Sequence, residues 1–316
     1  MAASSLAGLL SNVLLFLLIG GMAGSCDAGL LRSKFTTSNG FRGIMAGLAC
    51  QFVLLPLLGF LALLLFPQPP ATAISLLIVT TSPGGGFSGF WCFAANADLA
   101  LSVAMTTAST IVSMIALPLN VLLYITLLYG RSVDVNLPAL LSGCAIVISG
   151  VFSGYSISRR YPGLRQPVSS FGQAAGVALM VVGALTNGRS RQPVWTNEAS
   201  WFAAISVPVI GGLSIAMLIA VAVRLPRPQA VAVAIECCYQ NTGLALTIAL
   251  SAMDAADVGR ASGVPLLYGL VEIAVIPVFA LAAWRLGWTY APKSENCVVA
   301  LVGNYQPTSE DSAALA

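Results

Sequence analysis

The sequence predicts an all-α polytopic membrane protein with about nine transmembrane helices. Of the 316 residues, 58% are hydrophobic and only 8% are charged, and the mean hydropathy is +0.90. Since soluble domains carry about 25% charged residues, this composition strongly disfavours a soluble fold. The net charge of +3 is small and dispersed along the chain, which argues against a nucleic-acid partner.

Apolar windows of about 20 residues divide the chain into nine candidate spans. Polar or Pro/Gly-containing joints separate them. The sixth span is short and rich in small residues, and the fourth is long enough to tilt or to extend beyond the bilayer. The spans are residues 5–25, 42–66, 71–95, 99–128, 137–157, 170–186, 199–222, 228–252 and 263–287.

The basic residues predict an N-terminus outside and a C-terminus in the cytoplasm. In that orientation ten Lys and Arg residues are cytoplasmic and four are outside, which is the usual bias. The ten are Arg32, Lys34, Arg42, Arg159, Arg160, Arg165, Arg224, Arg227, Arg285 and Lys293, and the four are Arg131, Arg189, Arg191 and Arg260. We expect no cleaved signal peptide, a mobile cytoplasmic tail over 288–316, and a location in the plasma membrane.

Polar residues interrupt two of the apolar spans near their middles. The first interruption is residues 81–88, TSPGGGFS, and the second is residues 235–243, IECCYQNTG. Lipid does not hydrogen-bond free backbone groups, so broken helix at this depth requires protein or a watery cavity around it. Two such breaks, one in each half of the chain, predict the ion and substrate site of a secondary transporter.

Only two acidic residues, Glu236 and Glu272, lie well inside apolar spans. A carboxylate at membrane depth is costly, and no span carries a Lys or Arg in its middle, so a bound cation is the simplest partner for Glu236. The alternative is a protonated acid hydrogen-bonded to a neighbour. For Glu272 a structural role is favoured, with Tyr268 one turn before it as the expected partner.

Three hydroxyl residues and one amide extend this inventory of oxygen ligands. Ser88 follows the first break, and Ser102 and Thr106 are spaced i, i+4 on one helix face. Gln51 is a lone amide in an apolar run. Taken singly, the hydroxyls are also explained by hydrogen bonds to their own helix.

Histidine is absent from the sequence. This excludes a His-containing zinc site, a Ser-His-Asp triad and a histidine proton relay. No nucleophile–base pair is apparent either, so we predict no enzymatic activity and no cofactor.

The segments around these residues resemble the bile acid:sodium symporter family. The resemblance rests on 81–88, on 100–106 (ALSVAMT), and on Glu236 followed by Gln-Asn-Thr-Gly at 240–243, with similar spacing from Gln51. It implies two inverted repeats whose broken helices cross, within a transmembrane domain over 1–287. A core would comprise about 42–128 and 199–287, and a panel about 5–25 and 137–186.

The resemblance also implies the roles of individual residues. One sodium site would use Ser88, Ser102, Thr106 and Glu236. A second would use Gln51, Glu236, Gln240 and the carbonyls of Cys237 and Tyr239. The substrate would face Gly85, Gly86, Asn241 and Thr242. Gly89 departs from the family, which commonly has Asn there, and this puts the first sodium site and the two-sodium stoichiometry in doubt.

The function implied is sodium-coupled symport of an organic anion by alternating access, with sodium as coupling ion. The anion would be a bile acid or steroid conjugate, or a small carboxylate such as pyruvate or a pantothenate-like acid. The expected partners are the organic anion, sodium and the lipid bilayer. Two alternatives remain open from the sequence. One is a proton-coupled or sodium-independent carrier that uses Glu236 as a titrating acid, and the other is a non-transporting receptor or scaffold.

Overall fold

The computed structural model describes residues 2–24, 28–130, 137–190, 193–253, 257–297, 300, 303 and 305–306. Thirteen α-helices make up almost all of this part, and no strand occurs within it. The helices are α1 (Ala2–Gly24), α2 (Ala28–Thr36), α3 (Ser38–Ala49), α4 (Leu55–Leu65), α5 (Pro70–Thr81), α6 (Ser88–Ala94), α7 (Leu99–Tyr129), α8 (Leu137–Arg160), α9 (Arg165–Gly188), α10 (Ala199–Ala222), α11 (Arg227–Cys238), α12 (Thr242–Ala252) and α13 (Val258–Leu286).

Every predicted apolar span coincides with a helix or with a pair of half-helices. Six helices of the described chain are long and apolar enough to cross a membrane on length and composition. The chain is therefore a multi-pass membrane protein, and the count of nine spans stays a prediction. One of the six, Ser38–Leu65, joins α3 and α4 through a π-helical turn at Cys50–Leu54 that the sequence did not predict. The sixth span is longer than predicted, since α9 begins at Arg165.

Both predicted helix breaks are present, and they contact each other. The first separates α5 from α6, and the second separates α11 from α12. The Gly85 N–H donates to the Tyr239 carbonyl at 2.9 Å, and the Asn241 N–H donates to the Pro83 carbonyl at 3.0 Å. Each break thus satisfies backbone groups that the other leaves free, as a lipid environment requires. We call residues 82–87 and 239–241 together the crossing.

Joints predicted to be cytoplasmic meet at one end of the bundle. Asp98, which caps α7, accepts from Lys34 at 3.0 Å and from Gln229 at 3.1 Å. The Arg227 guanidinium lies 5.3 Å from the centre of the Trp288 ring. This convergence agrees with the predicted order of the joints, while the orientation in the membrane stays a prediction. Arg131 and Arg191, used in that prediction, lie outside the described residues.

The described part of the tail packs against the joint between α6 and α7, contrary to the expectation of a mobile segment. Asn96 is the anchor. Its carbonyl accepts from the Tyr290 N–H at 2.9 Å, and its side chain donates to the Ala300 carbonyl and accepts from the Tyr305 N–H at 3.1 Å. The expectation for residues 307–316 concerns positions outside the described chain.

Helix α1 packs closely against both α8 and α9 through glycines. A Cβ added at Gly21 would come 2.5 Å from the Cα of Gly172, and one at Gly154 would come 2.0 Å from the Gly20 carbonyl. Small residues allow such close approach between membrane helices. We call these three helices the α1 group. They are the helices predicted to form the panel, and the division into panel and core stays a prediction.

Candidate functional site

Glu236 lies at the centre of a cluster of hydroxyl groups. Its carboxylate accepts hydrogen bonds from Ser102 Oγ and from Thr106 Oγ1, the latter at 3.0 and 3.1 Å to the two carboxylate oxygens. Ser88 Oγ lies 3.3 Å from Thr106 Oγ1. The structure therefore brings together all four residues predicted for the first sodium site. Thr106 Oγ1 also donates to the Ser102 carbonyl of its own helix. The alternative explanation, a hydroxyl bonded to its own helix, therefore applies to Thr106 in addition to its contact with Glu236.

Helix α7 positions two of these hydroxyls. Asp98 caps its first turn by accepting from the Leu101 N–H at 2.8 Å, which fixes where the helix begins. Ser102 and Thr106 follow one turn apart on the face that meets α11. Glu236 is in the last turn of α11, just before the break, so its carboxylate lies beside the crossing.

Gly84 in the first break lies directly against Glu236. A Cβ at position 84 would come 2.8 Å from Glu236 Oε2, so no other residue fits without movement. The Gly84 N–H points to Ser109 Oγ at 3.4 Å. Glycine at this position allows the backbone of one break to approach the acid of the other.

Gln51, Gln240 and the carbonyls of Cys237 and Tyr239, all predicted for the second sodium site, also lie at the crossing. The Glu236 carboxylate, predicted for both sites, contacts the hydroxyls of the first. Gln51 Nε2 donates to Gln240 Oε1 at 3.0 Å and to the Ser82 carbonyl at 3.1 Å. Gln240 Nε2 donates to the Cys237 carbonyl at 2.7 Å. The Tyr239 carbonyl is the acceptor of the Gly85 N–H. Gln51 reaches the crossing from the π-helical turn, where the extra residue per turn changes the direction of its side chain.

Glu272 of α13 forms a hydrogen bond with the crossing, and the sequence did not predict this. Its Oε1 accepts from the Gln240 backbone N–H at 2.6 Å, a group that the second break leaves free. Tyr268, the expected partner, has a buried hydroxyl with no hydrogen bond among the described residues. Glu272 therefore caps the broken backbone. Its sequence context, an acid inside a long apolar helix, was the only available signal.

The two acids are buried without a countercharge. Glu236 is 0% and Glu272 is 1% exposed, and neither forms an ion pair within the described part of the chain. Among the described residues, both carboxylates accept hydrogen bonds from hydroxyl or backbone N–H donors. A buried carboxylate without a countercharge is stabilised by a nearby positive charge, and a small cation or a proton supplies that charge.

A cavity of about 690 Å³ adjoins the crossing between the α1 group and the broken helices. All four residues predicted to face the substrate, Gly85, Gly86, Asn241 and Thr242, line it. The other walls are mainly apolar and aromatic. The cavity reaches the end of the bundle where Asn187 lies, which is the predicted outer end. The wall includes Leu18 of α1, Phe87, Phe90 and Trp91 at α6, Val177, Met180 and Val181 of α9, and Leu266, Leu270 and Ile273 of α13.

Asn241 brings an unused hydrogen-bond donor to this cavity. Its Oδ1 caps α12 by accepting from the Leu244 N–H at 3.1 Å. Its Nδ2 is buried and has no hydrogen-bond partner among the described residues. A buried donor without a partner costs free energy, and an anionic oxygen in the cavity would satisfy it. The first turn of α12 adds its positive dipole end at the same place.

A second, smaller cavity of about 220 Å³ lies beside Gly89. Ser88 and Thr106 line it, so it adjoins the Glu236 cluster. A Cβ at position 89 would have only Leu99 Cδ1 within 4 Å, at 3.7 Å. The missing side chain at this position therefore leaves open space next to the predicted first sodium site.

Comparison with known proteins shows the family of the chain. The model of the sodium bile acid symporter family matches residues 13–189, more than half of the chain. The ileal sodium/bile acid cotransporter of Homo sapiens is 29% identical over 239 residues, covering 75% of this chain and 68% of that protein. That of Cricetulus griseus is 30% identical over 234 residues, with coverage of 73% and 67%. The sodium-dependent organic anion transporter of Bos taurus is 26% identical over 272 residues, with coverage of 85% and 70%.

Proposed function

Because the chain belongs to the sodium bile acid symporter family, we propose that it is a sodium-coupled symporter of large amphipathic organic anions. The observation that carries the proposal is the pairing of two sites at the crossing. A buried acid among oxygen ligands lies on one side, and a large apolar cavity with an unused donor lies on the other.

Sodium binds at Glu236 in this proposal. Sodium is a hard cation and takes oxygen ligands. The first ion uses the Glu236 carboxylate with the hydroxyl oxygens of Ser88, Ser102 and Thr106, which turn their hydrogens away from the ion. The second ion uses Glu236, the side-chain oxygens of Gln51 and Gln240, and the carbonyls of Cys237 and Tyr239. One acid shared by both ions would tie their binding together.

The large cavity is the proposed anion site. Its volume of about 690 Å³ suits a ligand far larger than pyruvate, since pockets for drug-sized molecules measure about 300–1,000 Å³. Apolar walls favour a steroid-like body, and Asn241 Nδ2 together with the start of α12 favours a negatively charged group at the crossing. Gly85 and Gly86 allow that group to approach the backbone of the first break. Bile acids and steroid conjugates combine these features.

Alternating access would move the α1 group relative to the crossing. The two breaks are joined by backbone hydrogen bonds, so they would move as one unit. Sodium on the crossing would neutralise Glu236 and thereby favour the movement of the loaded core. In a plasma membrane with the N-terminus outside, the resting potential adds about 2.3 kcal/mol per charge per 100 mV to inward cation movement.

The test is uptake into proteoliposomes by the purified full chain. Labelled taurocholate, a steroid sulfate, pyruvate and pantothenate are each offered under an inward sodium gradient, with choline as the matched control cation. We expect sodium-dependent accumulation of the bile acid or of the steroid sulfate, and none of pyruvate.

Three results would contradict the proposal in whole or in part. Uptake that follows an imposed pH gradient and ignores sodium would assign Glu236 to proton coupling. Binding of the anion without accumulation under any gradient would favour a receptor or scaffold. Sodium-driven uptake of pyruvate alone would retain the coupling ion and overturn the assignment of the substrate class.

A further inference from the structure

The small cavity beside Gly89 faces the α1 group as well as the crossing. Its polar lining comes from two sides. Ser88 at the start of α6 and Thr106 and Thr107 of α7 line one side, and Ser169 and Gln173 of α9 line the other. Gly86 and Phe90 line this cavity and the large one, so they form a shared wall between the two. The small cavity therefore lies on the other side of that wall from the proposed anion site.

The small cavity also lies toward the predicted cytoplasmic end. Ser169 and Gln173 are four and eight residues after Arg165, where α9 begins, and the large cavity meets α9 only from Gly176 onward. Met22, near the end of α1, belongs to the lining as well. The two cavities thus approach the crossing from opposite ends of the bundle.

The chemistry of the cavity suits a hydrated cation. Its volume of about 220 Å³ accommodates about seven waters at about 30 Å³ each. Two of its lining hydroxyls, those of Ser88 and Thr106, belong to the hydrogen-bond network of Glu236. The remaining polar groups are neutral oxygen ligands, and Gln173 is an exposed side chain free to turn into the space.

We propose, on the basis of the function proposed above, that this cavity is a cation vestibule in which Gln173 acts as a ligand. The amide oxygen of Gln173, directly or through one water, supplies the side-chain oxygen that Gly89 does not. The first sodium ion then contacts α7, α11 and α9 at once. Because α9 belongs to the α1 group, the affinity for sodium depends on how that group sits against the crossing, and this dependence couples the ion to the conformational change.

The first experiment measures the sodium concentration that gives half-maximal uptake. Gln173→Leu should raise that concentration about fivefold, as for the loss of one neutral ligand, and leave the half-saturating anion concentration at high sodium unchanged. The matched control is Gln166→Leu, an exposed glutamine on the same helix that does not line the cavity. Unchanged sodium dependence in Gln173→Leu would overturn the proposal.

The second experiment restores an amide from the opposite side. A Cβ at position 89 has room, so Gly89→Asn should fit. In the double variant the amide introduced at position 89 would replace the oxygen of Gln173, so adding Gln173→Leu to Gly89→Asn should no longer raise the half-saturating sodium concentration. Equal and additive effects of the two substitutions would mean that they serve different purposes, which would contradict the proposal. Where Gln173→Leu fails to reach the membrane, Gln173→Glu decides: its added charge should lower the half-saturating sodium concentration, and no change would count against the vestibule.

The wild-type control separates this proposal from the one on which it rests. Wild-type uptake that ignores sodium contradicts the symporter itself. Sodium-driven wild-type uptake with no dependence on residue 173 contradicts only the vestibule.

Discussion

The two helix breaks meet at the same place but contribute different chemistry. The first, at 82–87, is built from Ser82, Pro83, three glycines and Phe87 and carries no acidic or amide side chain. The second, at 239–241, has no glycine, carries the amides of Gln240 and Asn241, and follows Glu236 by three residues. Each donates one backbone N–H to a carbonyl of the other, so the hydrogen bonds between them are nearly symmetric while the side chains are not.

The difference teaches that one break supplies space and the other supplies charge. Gly84 leaves room for the Glu236 carboxylate, and Gly85 does the same for Tyr239, whose ring would lie 2.6 Å from a Cβ there. Substitutions in the first break should therefore act through crowding, and substitutions in the second through lost charge or lost hydrogen bonds. Four variants test this division, from the largest expected effect to the smallest.

Glu236→Gln removes the charge and keeps the volume. We expect sodium-driven uptake to fall at least about 100-fold, since one buried charge anchors both proposed ions. The protein should still reach the membrane and elute as a folded species. The measurement is uptake into proteoliposomes, normalised to the amount of inserted protein. Near-normal sodium-driven uptake would contradict the assignment of the ion site to Glu236.

Gly84→Ala adds one methyl group against the same carboxylate. Its Cβ would lie 2.8 Å from Glu236 Oε2, and overpacking of this kind costs about 1–3 kcal/mol, so uptake should fall about thirtyfold. Gly163→Ala is the matched control, because nothing lies within 4 Å of a Cβ there. If the two variants transport equally well, the first break does not act through close approach.

Asn241→Asp separates the two functions of one side chain. The carboxylate keeps an acceptor for the Leu244 N–H, so the cap of α12 and the thermal stability should persist. The lost donor and the added negative charge should raise the half-saturating anion concentration at least about tenfold. Competition by unlabelled bile acid measures this directly. Unchanged anion affinity would move the anion away from Asn241.

Glu272→Leu should act on stability more than on transport. It leaves the buried Gln240 N–H without its acceptor, at a cost of about 1–3 kcal/mol, so thermal unfolding should begin at a lower temperature. Glu272→Gln retains an acceptor oxygen and should restore most of the loss. A melting temperature of Glu272→Leu equal to that of the wild type would show that the cap is dispensable.

Much of the fold was predictable because the membrane constrains it strongly. Apolar length fixed where the spans lie, and the breaks were visible as polar residues at depths where lipid tolerates none. The start of α9 was missed because Gln166, Ser169 and Ser170 lower the local hydropathy while the helix continues. The packing of the tail was missed because no local sequence pattern in the tail indicates that its backbone hydrogen-bonds to Asn96, about 200 residues earlier in the chain.

The candidate site was predictable where its members are close in sequence or carry charge. Ser102 and Thr106 reveal their shared face by spacing, and Glu236 by its charge in an apolar run. The partner of Glu272 was not predictable, because it depends on how α13 is aligned against a break 32 residues earlier in the chain. The closeness of Gly84 to Glu236 likewise depends on the meeting of two segments from opposite halves.

The crossing is joined by main-chain groups, and this bears on how such carriers diversify. A point mutation changes a side chain but leaves the N–H of residue 85 and the carbonyl of residue 239 in place, provided that no proline enters. The residues around the large cavity can therefore drift from one substrate to another while the junction beneath them persists. Proteins with this architecture can therefore change their substrate specificity by mutation while the backbone junction between the two breaks is retained.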